Sequence, residues 1–328
     1  MPTNKIFPGN TLQFVDSNGD VLQEYEYDGG NGRVVLQDNN GNPADQEVGD
    51  LVTESAKVNG PLEAADSISV DDYRLNPNAV ETPTAYQSGP THGEGGSAFI
   101  GATLSPDGRV IFAPFNSSNV GIFDPTNDSY TSGPAHGEGS GAFRGATLSP
   151  DGRVIFTPKN SSNVGIFDPT TDSYTSGPAH GEGGGAFRGA TLSPDGRVIF
   201  APNGSSNVGI FDPTDDSYTS GPAHGEGGGA FRGATLSPDG RVIFAPNGSP
   251  NVGIFDPTDD SYISGPVHGE GDGAFFGATL SPDGRVIFAP NNSSNVGIFD
   301  PTDDSYTSGP AHGEGDSAFI GATLSPDG

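Results

Sequence analysis

Apolar residues along most of this chain come in short bursts separated by Gly, Pro, Asp, Asn and Ser, and nowhere at helical spacing. From Gly189 the bursts read GATL, RVIFAP, NVGIFDP and a run opened by Tyr218 that ends at SGP, which predicts four short strands. Between the first two lies Ser193-Pro194-Asp195-Gly196, where Pro presets the first central position of a tight turn and Gly accepts positive φ. The apolar residues of RVIFAP run together instead of alternating, the pattern of a strand covered on both faces. NVGIFDP carries a glycine at its centre, which predicts a close neighbour there. A Gly-rich link, AHGEGGGAF, leads to the next unit.

The unit recurs. GATLSPDG begins at Gly101, Gly145, Gly189, Gly233, Gly277 and Gly321, a period of 44 residues without insertion. A strand-and-turn repeat of about 40 to 50 residues predicts an all-β fold, a β-propeller with one blade per repeat. First strands are then expected to line a central channel, with Phe112, Phe123 and their repeats packed between blades. Thr84 to Phe99, TAYQSGPTHGEGGSAF, matches a fourth strand and its link, so the repeat region spans 84–328. It holds six first and six fourth strands but five second and third strands. Six blades, one shared between the two ends of the region, is the minimal closed ring, and seven is the alternative. The sequence ends inside an SPDG turn, which reads as a truncated repeat whose native chain continues, because a domain rarely stops within a hairpin.

Upstream, residues 1–58 alternate apolar and polar positions around the hairpin dipeptides Asn18-Gly19, Gly29-Gly30 and Asn40-Gly41. Strands are expected near 11–16, 20–27 and 32–37, forming a small β-hairpin meander. DSNGD and DNNGN are turns in this reading, since Gly stands fourth and not sixth as a calcium loop requires. Residues 59–83 lose the alternation and gain proline and acid, the mark of a linker or extended arm. So small a meander buries little alone and is expected to oligomerise or dock on something larger.

Composition sharpens the picture. Glycine (52) and proline (29) are abundant because every blade needs four connections, and the regular Val, Ile and Phe separate this from a disordered chain. Acidic residues outnumber basic ones 42 to 13, a formal charge of -29. That field repels phosphate backbones and excludes nucleic acid as a partner. It also repels itself unless salt screens it, which fits a protein of a saline habitat. Cysteine is absent, so disulfides and thiolate chemistry are excluded. The N-terminus lacks the pattern of a signal peptide, and no apolar run approaches the roughly 20 residues of a membrane span, so membrane insertion is not expected.

Candidate chemistry lies in the links. His92, His136, His180, His224, His268 and His312 each stand two residues before Glu94, Glu138, Glu182, Glu226, Glu270 and Glu314. On one face of a propeller these form a ring. Imidazole beside carboxylate either holds the Gly-rich link through hydrogen bonds, or binds sugar hydroxyls or a divalent metal. Departures between copies collect at the link and the adjacent turn, with Ile100, Arg144, Arg188, Arg232, Phe276 and Ile320 at one position and Phe115, Lys159, Asn203, Asn247 and Asn291 at another. Variation at the link and the adjacent turn fits either a recognition surface or surface drift, and Arg144, Arg188 and Arg232 join the ligand-binding candidates. Asn-x-Ser sequons at Asn116, Asn160, Asn203, Asn291, Asn292 and Asn127 read as turn composition first and glycosylation second. No single His, Ser or Glu stands out from the copied background as a catalytic centre would, so the protein is expected not to be an enzyme, and no cofactor is implied.

The repeat, through Ser193-Pro194-Asp195-Gly196 and Asp212-Pro213-Thr214, resembles propellers of the NHL and YVTN type. It lacks the Trp-Asp of WD40 blades, and its SPDGRVIF departs from a sialidase Asp box in the residue after Asp. The module LQFVDSNGDVLQEYEYD resembles N-terminal anchors of tail-fibre and spike proteins, and with the acidic composition the chain is similar to virion surface proteins of viruses infecting haloarchaea. That resemblance implies a virion spike, turret or fibre displaying a propeller for attachment to a host surface glycoprotein or glycan, held to other virion proteins through residues 1–58 and expected to form a homo-oligomer. The alternative is a lectin-like or scaffold propeller, extracellular or at the cell surface of a halophile.

Overall fold

The computed structural model describes residues 88–325 and, upstream, the backbone of four strands within residues 3–36. The chain divides into two compact units, Met1–Tyr86 and Gln87–Gly328. The expected linker at 59–83 and the turn at Asn40-Gly41 lie outside the described residues.

In the first unit β1 (Thr3–Phe7), β2 (Thr11–Val15), β3 (Val21–Asp28) and β4 (Arg33–Leu36) form an antiparallel sheet in chain order. The last three match the hairpin reading. β1 is an addition, paired through Ile6 with Leu12 and Phe7 with Thr11. Its five residues end at Pro8-Gly9, too short a run for alternation to announce.

The second unit is built of five antiparallel four-stranded sheets, each in chain order. The first holds β5 (Phe99–Leu104), β6 (Val110–Pro114), β7 (Asn119–Asp124) and β8 (Ser129–Ala135); the second β9 (Phe143–Leu148), β10 (Val154–Pro158), β11 (Asn163–Asp168) and β12 (Ser173–Ala179). The third holds β13 (Phe187–Leu192), β14 (Val198–Pro202), β15 (Asn207–Asp212) and β16 (Ser217–Ala223); the fourth β17 (Phe231–Leu236), β18 (Val242–Pro246), β19 (Asn251–Asp256) and β20 (Ser261–Val267). The fifth holds β21 (Phe275–Leu280), β22 (Val286–Pro290), β23 (Asn295–Asp300) and β24 (Ser305–Ala311). The fold is the expected β-propeller. No described residue lies in a helix long and apolar enough to cross a membrane.

Local chemistry sets each turn. In the SPDG turn of the second sheet, Gly152 takes φ 87°, the Ser149 hydroxyl donates to Asp151 (2.5 Å) and to the Arg153 carbonyl (2.8 Å), and the Arg153 amide donates to Asp151 (3.1 Å). The turn before the fourth strand places Asp172 at φ 49°, a left-handed conformation that Asp tolerates.

The continuous apolar character of the second strands has a packing cause. Val198, Ile199, Phe200 and Ala201 are all fully buried, because each sheet presents a different face to each neighbour. Ile155, Val164 and Ile166 of the second sheet pack on Phe187, Val198, Phe200 and Phe211 of the third, and the same aliphatic-on-aromatic contact recurs at the other three junctions. The strand-centre glycine serves this packing, since a Cβ on Gly209 would lie 2.7 Å from the Phe187 ring. First strands lie against one another in sequence order along the axial edge. A Cβ on Gly189 there would lie 2.6 Å from the Arg232 carbonyl.

Five blades are formed among the described residues, where neither 88–90 nor 319–325 is in a strand and no shared sixth blade is present. The aromatic face of the first sheet, with Phe99, Phe112, Phe123 and Tyr130, opens instead onto a groove of about 620 Å³.

Candidate functional site

Two polar systems join neighbouring blades. The first is an arginine clamp. Arg153 Nε donates to Asp151 (2.6 Å), and its two terminal nitrogens reach the next sheet, where Asp216 accepts at 2.7 and 3.0 Å and the Pro213 carbonyl at 2.7 Å. Hydrogen bonds donated to Asp216, with the nearby Asp151 charge, hold the Arg153 guanidinium well above its ordinary pKa. Arg109, Arg197 and Arg241 repeat this geometry.

The second system contains the sequence-predicted His and Glu. His136 Nε2 meets the Ser117 carbonyl at 2.8 Å, and the Glu138 amide donates to Nδ1 at 3.1 Å, which makes Nε2 the protonated nitrogen. The imidazole is 6% exposed and stands edge-on to Phe143, with centroids 5.6 Å apart. The Glu138 carboxylate accepts from Ser161 (2.9 Å), Ser176 (2.6 Å) and Tyr174 (3.2 Å). Burial works to raise its pKa, but these hydrogen bonds outweigh it and leave Glu138 below the ordinary carboxylate range. Burial and the carboxylate push Tyr174 up.

His180 with Glu182, His224 with Glu226, and His268 with Glu270 form the same latch. His92 accepts from the Glu94 amide at 3.1 Å, with Glu94 on Ser117 and Tyr130, and His312 takes the Ser293 carbonyl and the Glu314 amide. Of the two roles the sequence left open for HGEG, the geometry realises the link-holding one: at the buried copies both ring nitrogens are engaged on the protein. Among the described residues no group of three or more His, Cys, Asp or Glu is placed to hold a metal.

The variable positions behave differently. Arg188 is the extra residue of a β-bulge, since Phe187 pairs with Pro202 and Gly189 with Ala201; Arg232 occupies the same place, and the register also breaks around Arg144. They lie within the first strands rather than in the link where the sequence reading put them. A bulge re-aims the side chain it carries, and the Arg232 guanidinium carbon sits 3.6 Å above the Phe276 ring of the next blade. The second variable position converges on the first. Lys159 Nζ lies 4.9 Å over the Phe115 ring, close enough to Arg188 and Arg144 that their charges, after burial, lower its pKa. Asn203 donates to the Phe231 carbonyl next to Arg232 (2.9 Å). Asn203 and Asn291 are buried, consistent with sequons that serve as turn residues.

The spacing along the chain marks these arginines as candidates but does not show what distinguishes them. Burial and neighbouring arginines push Arg232 down to about 10, with Arg188 and Arg144 lowered in the same direction chiefly by burial. The available signal was their occurrence in only three copies, in a chain otherwise poor in cations.

No protein-family model and no curated protein matches the chain. Solved structures do. Virginiamycin B lyase from Staphylococcus aureus is 17% identical with TM-score 0.57, over 64% of this chain and 69% of that one. A catalytically inactive variant of the lyase with quinupristin is 14% identical with TM-score 0.58, over 97% and 90%. A fungal alcohol oxidase of the AA5 family in complex with copper is 16% identical with TM-score 0.51, over 65% and 53%. These neighbours correct the expectation of a non-enzyme: the architecture carries catalysis in a lyase and an oxidase, so the fold gives no ground for setting enzymes aside. At such identities the likeness extends to the β-propeller fold and assigns no reaction to this chain.

Proposed function

We propose that this chain is a recognition protein whose propeller binds a host-cell surface glycoprotein or glycan, and that residues 1–58 hold it to the surface of a virion in a saline habitat. One observation carries the reading. In a closely copied scaffold, two of the positions that vary between copies meet at the axial edge, where Lys159 stands beside Arg144 and Arg188 and Asn203 contacts the residue before Arg232. A rigid frame that brings variable residues together at one edge is what a recognition surface needs. The Arg–Asp clamps and the buried His–Glu latches engage protein partners, so they supply rigidity. Several copies on one particle would add avidity to a weak single contact.

The test is twofold. The full chain should co-sediment with purified virions, and particles lacking 84–328 should adsorb to host cells much more slowly than intact ones. Normal adsorption by such particles would refute attachment through the propeller. A chain found on cell envelopes and never with particles would favour the lectin-like or scaffold propeller of a halophile.

A further inference from the structure

The arginines of the described residues fall into two sets. Arg109, Arg153, Arg197, Arg241 and Arg285 each form an ion pair with Asp. Arg144, Arg188 and Arg232 form none, although acidic residues outnumber basic ones 42 to 13 in the chain. These three occupy one repeat position on successive first strands that touch. The contact is close: the Arg188 carbonyl lies 3.5 Å from where a Cβ on Gly145 would stand, and the Arg232 carbonyl 2.6 Å from the corresponding point on Gly189.

Arg232 covers the face of Phe276, so the row ends on an aromatic ring. Its edges lack acceptors. The Nε atoms of Arg188 and Arg232 are buried without a hydrogen-bond partner, as is the hydroxyl of Thr157, a fully buried residue 3.0 Å from that same Cβ point on Gly145. The charges acting on Arg232 are those of Arg188 and Arg144, both repulsive. Lys159 adds a fourth cation at this place. Partly desolvated like charges held together without a counter-charge are costly, and the missing partner is an anion with several acceptor oxygens, matched to guanidinium forks.

We propose that Arg144, Arg188, Arg232 and Lys159 form an oxyanion-binding site at the axial edge, and that it takes a sulfate-type group presented by an acidic sugar. The inference rests on the recognition reading of the same site and names its ligand class. The glycan is read through its charge, and a neutral sugar is not a ligand. The three guanidiniums receive the anion's oxygens, and Lys159 contributes charge beside them.

The experiment is calorimetric titration of the full chain with inorganic sulfate, glucose 6-sulfate and glucose at fixed ionic strength set with KCl. Saturable binding of glucose 6-sulfate and none of glucose is expected, weakened at least tenfold in R188Q and abolished in the triple variant R144Q/R188Q/R232Q. R285Q, whose arginine pairs only with Asp283, should bind as the parent does. Binding of inorganic sulfate alone, lost in R188Q, would keep the oxyanion site and overturn the acidic sugar as its source. Absence of saturable binding of either anion, or equal affinity in R188Q and parent, would overturn the site. Should the variants misfold by circular dichroism, the parent decides: its melting temperature must rise in sulfate relative to KCl of equal ionic strength, and no rise overturns the site. Adsorption of particles tests the recognition reading separately, so failure of one is distinguishable from failure of the other.

Discussion

Phe200 and Phe112 occupy the same repeat position in different surroundings, and their truncation should separate packing from composition. Phe200 is fully buried, with its ring centroid 5.4 Å from that of Phe187 and the aliphatic face of the second sheet against it. Phe200→Ala removes the transfer free energy of the ring and leaves a cavity that the stiff sheets cannot close, a loss of about 3 to 5 kcal/mol. Phe112 is only partly buried and lines the open groove of the first sheet. Phe112→Ala loses part of the transfer term and creates no closed cavity, a cost of about 1 to 2 kcal/mol. The chain has no tryptophan, so urea unfolding is best followed by far-ultraviolet circular dichroism, with the midpoint and slope compared between variants. Equal losses at the two positions would refute the argument, because they would mean that the first sheet's aromatic face is covered as fully as the others.

Three further outcomes follow from the clamp, the latch and the charge. Arg153→Ala should destabilise by about 1 kcal/mol, the modest value of a half-exposed pair; a double-mutant cycle with Asp216→Asn, which keeps a residue tolerant of positive φ, should recover that coupling, and a coupling of zero would remove the clamp. Glu138, Glu182, Glu226 and Glu270 have folded pKa values held below the ordinary range, so their stabilisation is present above the unfolded carboxylate pKa of about 4.3 and is lost as pH falls through the folded values. Thermal melts from pH 6 to 3 should show that decline, shallower in Glu138→Gln, and an identical profile in the variant would sink the latch argument. The net charge of -29 should make the melting temperature climb between dilute buffer and molar KCl as repulsion is screened; melts that do not move would remove the support for a saline habitat.

Strands and turns were legible in the sequence because their causes are local. Pro and Gly in Ser193-Pro194-Asp195-Gly196 restrict φ within four residues, the unbroken apolar run of RVIFAP signals cover on both faces, and a fixed 44-residue period signals one packing solution repeated. The close approach at the strand-centre glycine was legible for the same reason, and Phe143 against Gly165 realises it. The roles of HGEG were not. Whether an imidazole is free to bind depends on where its nitrogens point, and His136 meets the carbonyl of Ser117, 19 residues earlier in the chain, which no spacing rule encodes. The blade count likewise depended on whether the two ends of the repeat region pair, a contact between segments more than 200 residues apart. The arginine row is the clearest case. Sequence places Arg144, Arg188 and Arg232 at equal intervals of 44, but only the bulges and the touching first strands bring their charges together away from any carboxylate. Periodicity is a property of neighbours along the chain, whereas electrostatics is a property of neighbours in space.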